Sequence, residues 1–291
     1  MPDKNKIEFT LLMSFAKLVK LFKFQTLPKV AGFLTPLFYH IIKIRRDVIF
    51  NNLRKAFPDE DESFYKKTAK ENYFHFILTL LEIIKIPTIS KSKIDSLLKI
   101  NNPGLLEDKI SENKGIIFLT AHFGNWELGA VSVGSKTGNC VSVLTKPQRN
   151  SLVDKWLDAI RETFGNKAVK LGTSVREIYK ALLEKKIVGI VGDQRGPKDG
   201  MRVSLFNIPT AVFTGTAAIY LKTGSPIITA IVERKPDFTY KTTFEEIKVE
   251  NINASAEENI REINQKYMNI LERKIRKNPA QWFWMHNIWK Y

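Results

Sequence analysis

Residues 115–129 read GIIFLTAHFGNWELG, and the order of residue types in this stretch decides the fold. The apolar run GIIFLTA lacks the polar alternation of a half-exposed strand and is too short for a stable helix, so it reads as a strand buried on both faces. His122 stands at its carboxyl end, Gly124 permits a turn, and a helix starts at Asn125 or Trp126. Working outward, VSVLT (141–145), AVKLG (168–172), IVGIVGD (187–193) and SPIITAIVE (225–233) repeat the strand pattern. Helical stretches lie between them near 126–134, 150–164, 174–186 and 213–222. Such alternation predicts an α/β fold, a mainly parallel mixed sheet flanked by helices, with ligands meeting the carboxyl ends of the strands. Residues 63–86 form a long amphipathic helix before Pro87, and residues 203–221 read as loop plus buried helix. Residues 240–249 look like a late strand, and Ser255 with Glu258 makes a capping box for a last helix running to about residue 277.

With 291 residues, 44% of them hydrophobic, the chain is well outside the range of disordered sequences. Its single cysteine, Cys140, excludes an internal disulfide and argues for a reducing compartment and against a structural zinc site. Lys plus Arg exceed Asp plus Glu by 46 − 30 = 16, which points to anionic partners: a membrane surface, phosphate-bearing lipid, nucleic acid or an acidic protein.

Half of that excess lies in residues 1–57, which hold eleven basic residues and three acids. There, the run 9–24 (FTLLMSFAKLVKLFKF) places Lys17, Lys20 and Lys23 three apart on a narrow stripe of an otherwise apolar helix. A helix of this kind lies in a membrane interface, its ammonium groups at anionic headgroups; the bland alternative is a core helix with solvated lysines. Residues 30–42 are again uncharged and end at Lys43, Arg45 and Arg46, but Gly32 and Pro36 interrupt them and they are too short to span a bilayer. No cleavable signal is evident, so the chain is expected on the cytoplasmic side. The organisation that follows is a basic, hydrophobic, membrane-associating helical segment over 1–57 and a catalytic domain over 58–291.

The sequence contains no nucleophile elbow, Walker loop, dinucleotide fingerprint or zinc-protease motif. What remains is His122 with Glu127 five positions on. If the chain turns at Gly124, Glu127 falls in the first helical turn and its carboxylate can reach back to the imidazole, leaving the other ring nitrogen to take a proton from a hydroxyl. Such a pair suits transfer of an acyl group from a thioester to an alcohol, without a covalent enzyme intermediate. The competing reading is a capped strand-to-helix turn with a satisfied histidine. A second constellation, GDQRGPKDG (192–200), puts Asp193 and Arg195 at another strand end, where Arg195 is a candidate for phosphate binding. Lys146 and Arg161 are further candidates on the strand and helix after the His122 segment.

Several segments together resemble the late acyltransferases of lipid A biosynthesis, the lauroyl and myristoyl transferases, which are distant relatives of the glycerolipid and lysophospholipid acyltransferases. The segments are HFGNWE (122–127), KPQRN (146–150) with Arg161, GDQRG (192–196), the stretch LFNIPTAVFTGTAAIYLKTGSPIITA (205–230), NPAQWFWMHNIWK (278–290) and NNLRKAFP (51–58). The resemblance covers nearly the whole chain. It implies a glycerolipid acyltransferase-like fold, His122 as general base with Glu127 as its partner, and Asn125, Lys146, Arg161, Asp193 and Arg195 in or beside the substrate site. It implies acyl carrier protein as donor partner, with acyl-CoA the alternative, an anionic glycolipid as acceptor, the cytoplasmic face of the inner membrane as location, and no metal, cofactor or nucleic acid.

An acyl-chain tunnel is expected beside the dyad, and either backbone N–H groups or Arg195 at the oxyanion. Two departures from the family stand out. Leu205, Phe206 and Asn207 replace a usual Phe-Phe-Gly, Asn being able to adopt the left-handed turn that Gly uses, and Lys146 stands where arginine is common. The acceptor therefore stays open between a lipid A precursor and a mannolipid, aminolipid or lysophospholipid. A non-catalytic basic binding protein is the rival of another class. The C-terminal tryptophans, Trp282, Trp284 and Trp289, are either interfacial anchors or internal packing.

Overall fold

The run before His122 becomes the middle of a six-stranded sheet. A computed structural model describes residues 3–138, 140–171, 175–250 and 254–291; positions 172 and 174, the expected ends of a strand and a helix, lie outside them. From the amino end the chain passes through α1 (Lys4–Leu21), α2 (Leu27–Pro36), α3 (Arg46–Ala56), α4 (Glu62–Lys85) and α5 (Lys91–Leu97). It continues as β1 (Leu98–Ile100), α6 (Pro103–Ser111), β2 (Ile116–Thr120), α7 (Trp126–Thr137), β3 (Val141–Thr145), α8 (Ser151–Arg161), β4 (Lys167–Lys170), α9 (Val175–Leu183) and β5 (Ile187–Val191). The last third holds β6 (Arg202–Leu205), β7 (Ile208–Ala211), α10 (Gly215–Thr223), β8 (Ile227–Ala230), β9 (Glu233–Arg234), β10 (Tyr240–Thr242), β11 (Phe244–Ile247) and α11 (Ala256–Lys277).

The main sheet has the order β11-β8-β2-β5-β3-β4, parallel throughout except for the antiparallel edge strand β11. The expected mainly parallel mixed sheet is therefore present, with the strands of 116–120, 141–145 and 187–191 where the apolar runs placed them. Two expectations need correction. Residues 240–249 are two short strands, because β10 joins a separate sheet with β1 and β9 whereas β11 returns to the main sheet. Residues 203–211, expected as loop, belong to the hairpin β6–β7, whose turn residues Phe206 and Asn207 both have left-handed φ, 54° and 59°. The turn survives without glycine.

Segment 1–57 packs into the rest of the chain. Ile49, Phe50 and Leu53 of α3 belong to the same buried cluster as Ile117 and Leu119 of β2, and Ala16, Val19, Leu27 and Ala31 pack with Ile77, Leu78 and Leu81 of α4. The helix in the lysine-bearing run ends at Leu21, so Lys23 lies beyond it. Among the described residues no helix is long and apolar enough to cross a membrane.

The C-terminal segment is internal packing. Trp282, Trp284 and Trp289 are all buried, which removes them as bilayer anchors. Buried Asn52 donates to the carbonyls of Trp284 and His286 at 2.9 and 2.8 Å, and Asn72 to those of Ala280 and Trp282 at 2.8 and 2.6 Å. Four carbonyls of this packed segment are thus satisfied by two side-chain amides, as buried polar groups require.

Behind the sheet's carboxyl edge lies a fully buried ion pair. Arg234 Nη2 is 2.7 Å from Glu82 Oε2, both side chains being 1% exposed. The same guanidinium donates to Tyr240 Oη at 2.9 Å and to Thr79 Oγ1 at 2.9 Å, while the Tyr240 hydroxyl donates to Glu82. Desolvation of both charges is offset only while every donor and acceptor is engaged. Glu82→Ala leaves Arg234 buried without its counter-charge, so it is expected to cost about 3–5 kcal/mol of stability. Urea unfolding of variant and wild type side by side measures this, and a loss within error of zero contradicts a paired interior.

Candidate active site

The parallel register of β2 and β5 brings two distant residues together. Thr120 pairs with Val191, and the Gly192 amide continues the ladder by donating to Thr120 O at 3.0 Å. Two residues past each partner stand His122 and Asp193. Their side chains meet, with His122 Nδ1 2.7 Å from Asp193 Oδ1. The second carboxylate oxygen accepts from the His122 backbone amide and from Trp282 Nε1, each at 2.8 Å.

The turn after His122 needs glycine. Gly124 has φ +58°, and a Cβ there would lie 2.1 Å from the Val232 carbonyl oxygen. Its amide donates to Gln281 O at 3.0 Å, and Phe283 N donates to His122 O at 3.0 Å, so the C-terminal segment pairs with the turn and carries the Trp282 indole onto Asp193. Asn125 then caps α7 by accepting from Leu128 N at 3.0 Å, while its Nδ2 donates to Glu82 at 3.0 Å.

The expected reach of Glu127 to the imidazole is corrected by this geometry. Glu127 sits in the first turn of α7 as anticipated, but its carboxylate is held by Arg161 of α8, Nη2–Oε1 2.7 Å and Nε–Oε2 3.0 Å. The guanidinium fork matches a carboxylate face-on and takes both oxygens; Arg161 also reaches Asp158 at 3.3 Å. A separation of five residues was a poor guide because the nearest cation outcompetes a neutral imidazole for the carboxylate.

Electrostatics follow from these contacts. Burial alone pushes the His122 imidazole down, but the charge and hydrogen bond of Asp193, with a smaller contribution from Glu127, more than compensate, so its pKa is raised above the ordinary 6.5. Burial pushes Asp193 up, and the opposing pull of His122, Trp282 and the His122 amide leaves it lowered. Asp193 therefore stays ionised and fixes the proton of neutral His122 on Nδ1, because an ionised carboxylate only accepts. Nε2 is left as the acceptor for a substrate proton.

A narrow cleft runs against His122, lined by Asn72, His75, Phe76, Thr79, Trp126 and Phe283 among others. The ring of Trp126 meets the imidazole edge-on with centroids 4.9 Å apart, and that of Phe283 lies 5.9 Å away. These aromatic side chains narrow the cleft against the imidazole.

The remaining sequence candidates are dispersed. Asn125 is fully buried and its amide is spent on the cap and on Glu82, so it does not face a substrate. Arg195 is engaged by the C-terminal segment: its amide donates to His286 Nε2 at 3.0 Å, Nη1 donates to Asn287 O, and its guanidinium lies 4.7 Å over the Tyr291 ring. Lys146 is exposed. Two contributors escaped sequence reading. Trp282 has no local signal, but His75 has one, because Asn72, His75, Phe76 and Thr79 are spaced three, four and seven apart on one face of α4.

Comparison with known proteins agrees with this architecture. The chain is 25% identical over 254 residues to the lipid A biosynthesis palmitoleoyltransferase of Escherichia coli (strain K12), covering 86% of this chain and 80% of that protein. It is 24% identical over 153 residues to the phosphatidylinositol mannoside acyltransferase of Mycobacterium tuberculosis (strain ATCC 25618 / H37Rv), covering 50% of this chain and 48% of that protein. The model of the bacterial lipid A biosynthesis acyltransferases matches residues 5–291, and the chain belongs to that family as an acyltransferase of the late lipid A type.

Proposed function

We propose that this protein moves a fatty acyl chain from acyl carrier protein to a hydroxyl of an anionic glycolipid, a lipid A precursor, with His122 as general base and Asp193 as the group that orients it. The observation that carries the reading is the 2.7 Å contact of Asp193 with Nδ1, which leaves Nε2 free of protein partners among the described residues and next to the cleft. Nε2 takes the proton of the acceptor hydroxyl as its oxygen attacks the thioester carbonyl carbon. The imidazolium that forms is stabilised by Asp193, and returns the proton to the departing sulfur. Glu127 and Arg161 act as a buried brace between α7 and α8, Glu127 adding negative potential at His122 that the Arg161 charge partly offsets. Lys146, exposed and without an ionic partner among the described residues, remains a candidate for a phosphate of donor or acceptor.

The setting proposed for the reaction is the cytoplasmic face of the inner membrane. Among the described residues, eleven of the seventeen exposed large apolar side chains fall between residues 7 and 44. Ile7, Leu11, Phe15 and Leu18 make a continuous stripe on α1, and Phe33 and Ile41 extend it. Lys17 flanks that stripe on α1, and Lys43 and Arg45 are exposed just after α2, as an interfacial segment on anionic lipid requires. The acidic donor protein is a second client for the excess of positive charge. A mannolipid acceptor is the alternative that the mycobacterial relative favours.

Three outcomes are expected. Transfer of labelled acyl chains from acyl carrier protein to an anionic glycolipid, followed by mass spectrometry, yields product with wild type and at least about 10²-fold less with His122→Ala; equal product from both removes His122 as the base. Because His122 works only when deprotonated and its pKa is raised, kcat/KM rises with pH through a midpoint above 6.5. Asp193→Asn moves that midpoint down, since burial then acts without the opposing carboxylate, and lowers kcat by about 10⁴-fold through the wrong tautomer, whereas Glu127→Gln shifts the midpoint less. A larger effect from Glu127→Gln restores the local pair. For the surface, Leu11→Asp with Phe33→Asp abolishes co-sedimentation with vesicles containing phosphatidylglycerol while preserving the unfolding temperature; undiminished binding refutes the assignment of that face.

A further inference from the structure

We propose that His75 is the oxyanion donor of the reaction, offering Nε2–H from α4 to the thioester oxygen in the cleft that His122 also lines. The inference rests on the acyl-transfer reading above. It starts from the α4 face. Asn72 and Thr79 pin that face at both ends, Asn72 to the carbonyls of Ala280 and Trp282, and Thr79 Oγ1 to Gly124 O at 2.8 Å. His75 and Phe76 lie between them, and all four residues line the cleft with His122.

The tautomer follows from the partner. Arg234 Nη1 lies 2.9 Å from His75 Nδ1. A guanidinium has only donors, so Nδ1 must be the unprotonated acceptor and the single ring proton sits on Nε2. No protein group among the described residues accepts that proton. Burial, reinforced by the charge of Arg234, lowers the pKa of His75 to about 3, so the ring remains neutral wherever His122 can act as a base. Arg234 is itself held by Glu82, Tyr240 and Thr79, which makes the donor's orientation a property of the core. By contrast the Arg195 guanidinium, the alternative to backbone N–H groups at the oxyanion, donates through Nη1 to Asn287 O and lies over the Tyr291 ring.

The step balances without moving the His75 proton. The acceptor oxygen forms a bond to the thioester carbon as His122 Nε2 takes the hydroxyl proton, and the carbonyl π pair moves onto oxygen. That oxyanion accepts from His75 Nε2–H; when the pair returns, the C–S bond breaks and the thiolate takes the proton from His122. A neutral donor serves here because a second cation in the cleft would lower the basicity of His122.

The test uses two substitutions of the full chain. Asn at position 75 puts its amide oxygen where Nδ1 was and can still accept from Arg234, but has nothing at the Nε2 position; Gln reaches that position with an amide N–H. His75→Asn is expected to keep the unfolding temperature, lower kcat by about 10²- to 10³-fold, change KM little and leave the acid limb of the pH profile in place. His75→Gln is expected to recover part of the loss. Wild-type kcat in His75→Asn, or kcat losses that track falling unfolding temperature across both variants, overturns the proposal. If His122→Ala is inactive while His75→Asn is fully active, only the oxyanion assignment fails; if His122→Ala is active, the underlying reading fails with it.

Discussion

A carboxylate removed from water yet kept ionised organises this molecule. Burial by itself drives Asp193 toward its neutral form, and it stays charged because three donors converge on it. Those donors come from the end of β2 and from the C-terminal segment: the His122 imidazole, the His122 amide and the Trp282 indole. Asp193 is thus comfortable only when β2, β5 and residues 281–283 are assembled together. The asparagines that hold the C-terminal segment, Asn52 on α3 and Asn72 on α4, extend the dependence to the helices that precede the sheet. The geometry around His122 depends on much of the chain because one charge needs partners from the end of β2 and from the C-terminal segment.

That dependence explains which features were legible in the sequence. Strands buried on both faces declare themselves as short apolar runs, so β2, β3 and β5 lie where those runs are. The carboxyl ends of β2 and β5 were legible as places for chemistry, since a charged or titratable residue follows each run at the same offset. Which residue would face His122 was not, because the answer lies in a register between strands rather than in a spacing along the chain. His122 and Asp193 are 71 positions apart, while Glu127, only five away, is drawn off by Arg161. The β6–β7 hairpin was hidden for a different reason: its turn places Phe206 at φ 54°, a conformation that Gly and Asn adopt far more readily than Phe.

Helix α4 links the outside of the protein to its chemistry. One side of it packs against α1 and α2, whose opposite faces carry the exposed apolar stripe; another side lines the cleft through Asn72, His75, Phe76 and Thr79. The apolar surface and the cleft against His122 are therefore separated by a single helix layer. Phe76, Trp126 and Phe283 line the cleft beside His122, and aromatic rings packed there exclude water. An acyl thioester poised beside a general base is exposed to hydrolysis unless water is kept out.

Two histidines on one cleft are pushed in opposite directions by their neighbours. His122 has a carboxylate on Nδ1 and its pKa rises; His75 has a guanidinium on Nδ1 and its pKa falls to about 3. The same ring atom, given partners of opposite charge, fixes opposite tautomers: Nε2 of His122 is a bare acceptor, and Nε2 of His75 carries a proton it does not release. Divergent environments around chemically identical groups separate the role of base from that of hydrogen-bond donor. In the proposed reaction, the division of labour resides in Asp193 and Arg234 as much as in the histidines themselves, because each partner fixes its histidine's tautomer. Neither partner is adjacent to its histidine in sequence, and each is delivered by a strand of a different sheet: Asp193 from just beyond β5, Arg234 from β9.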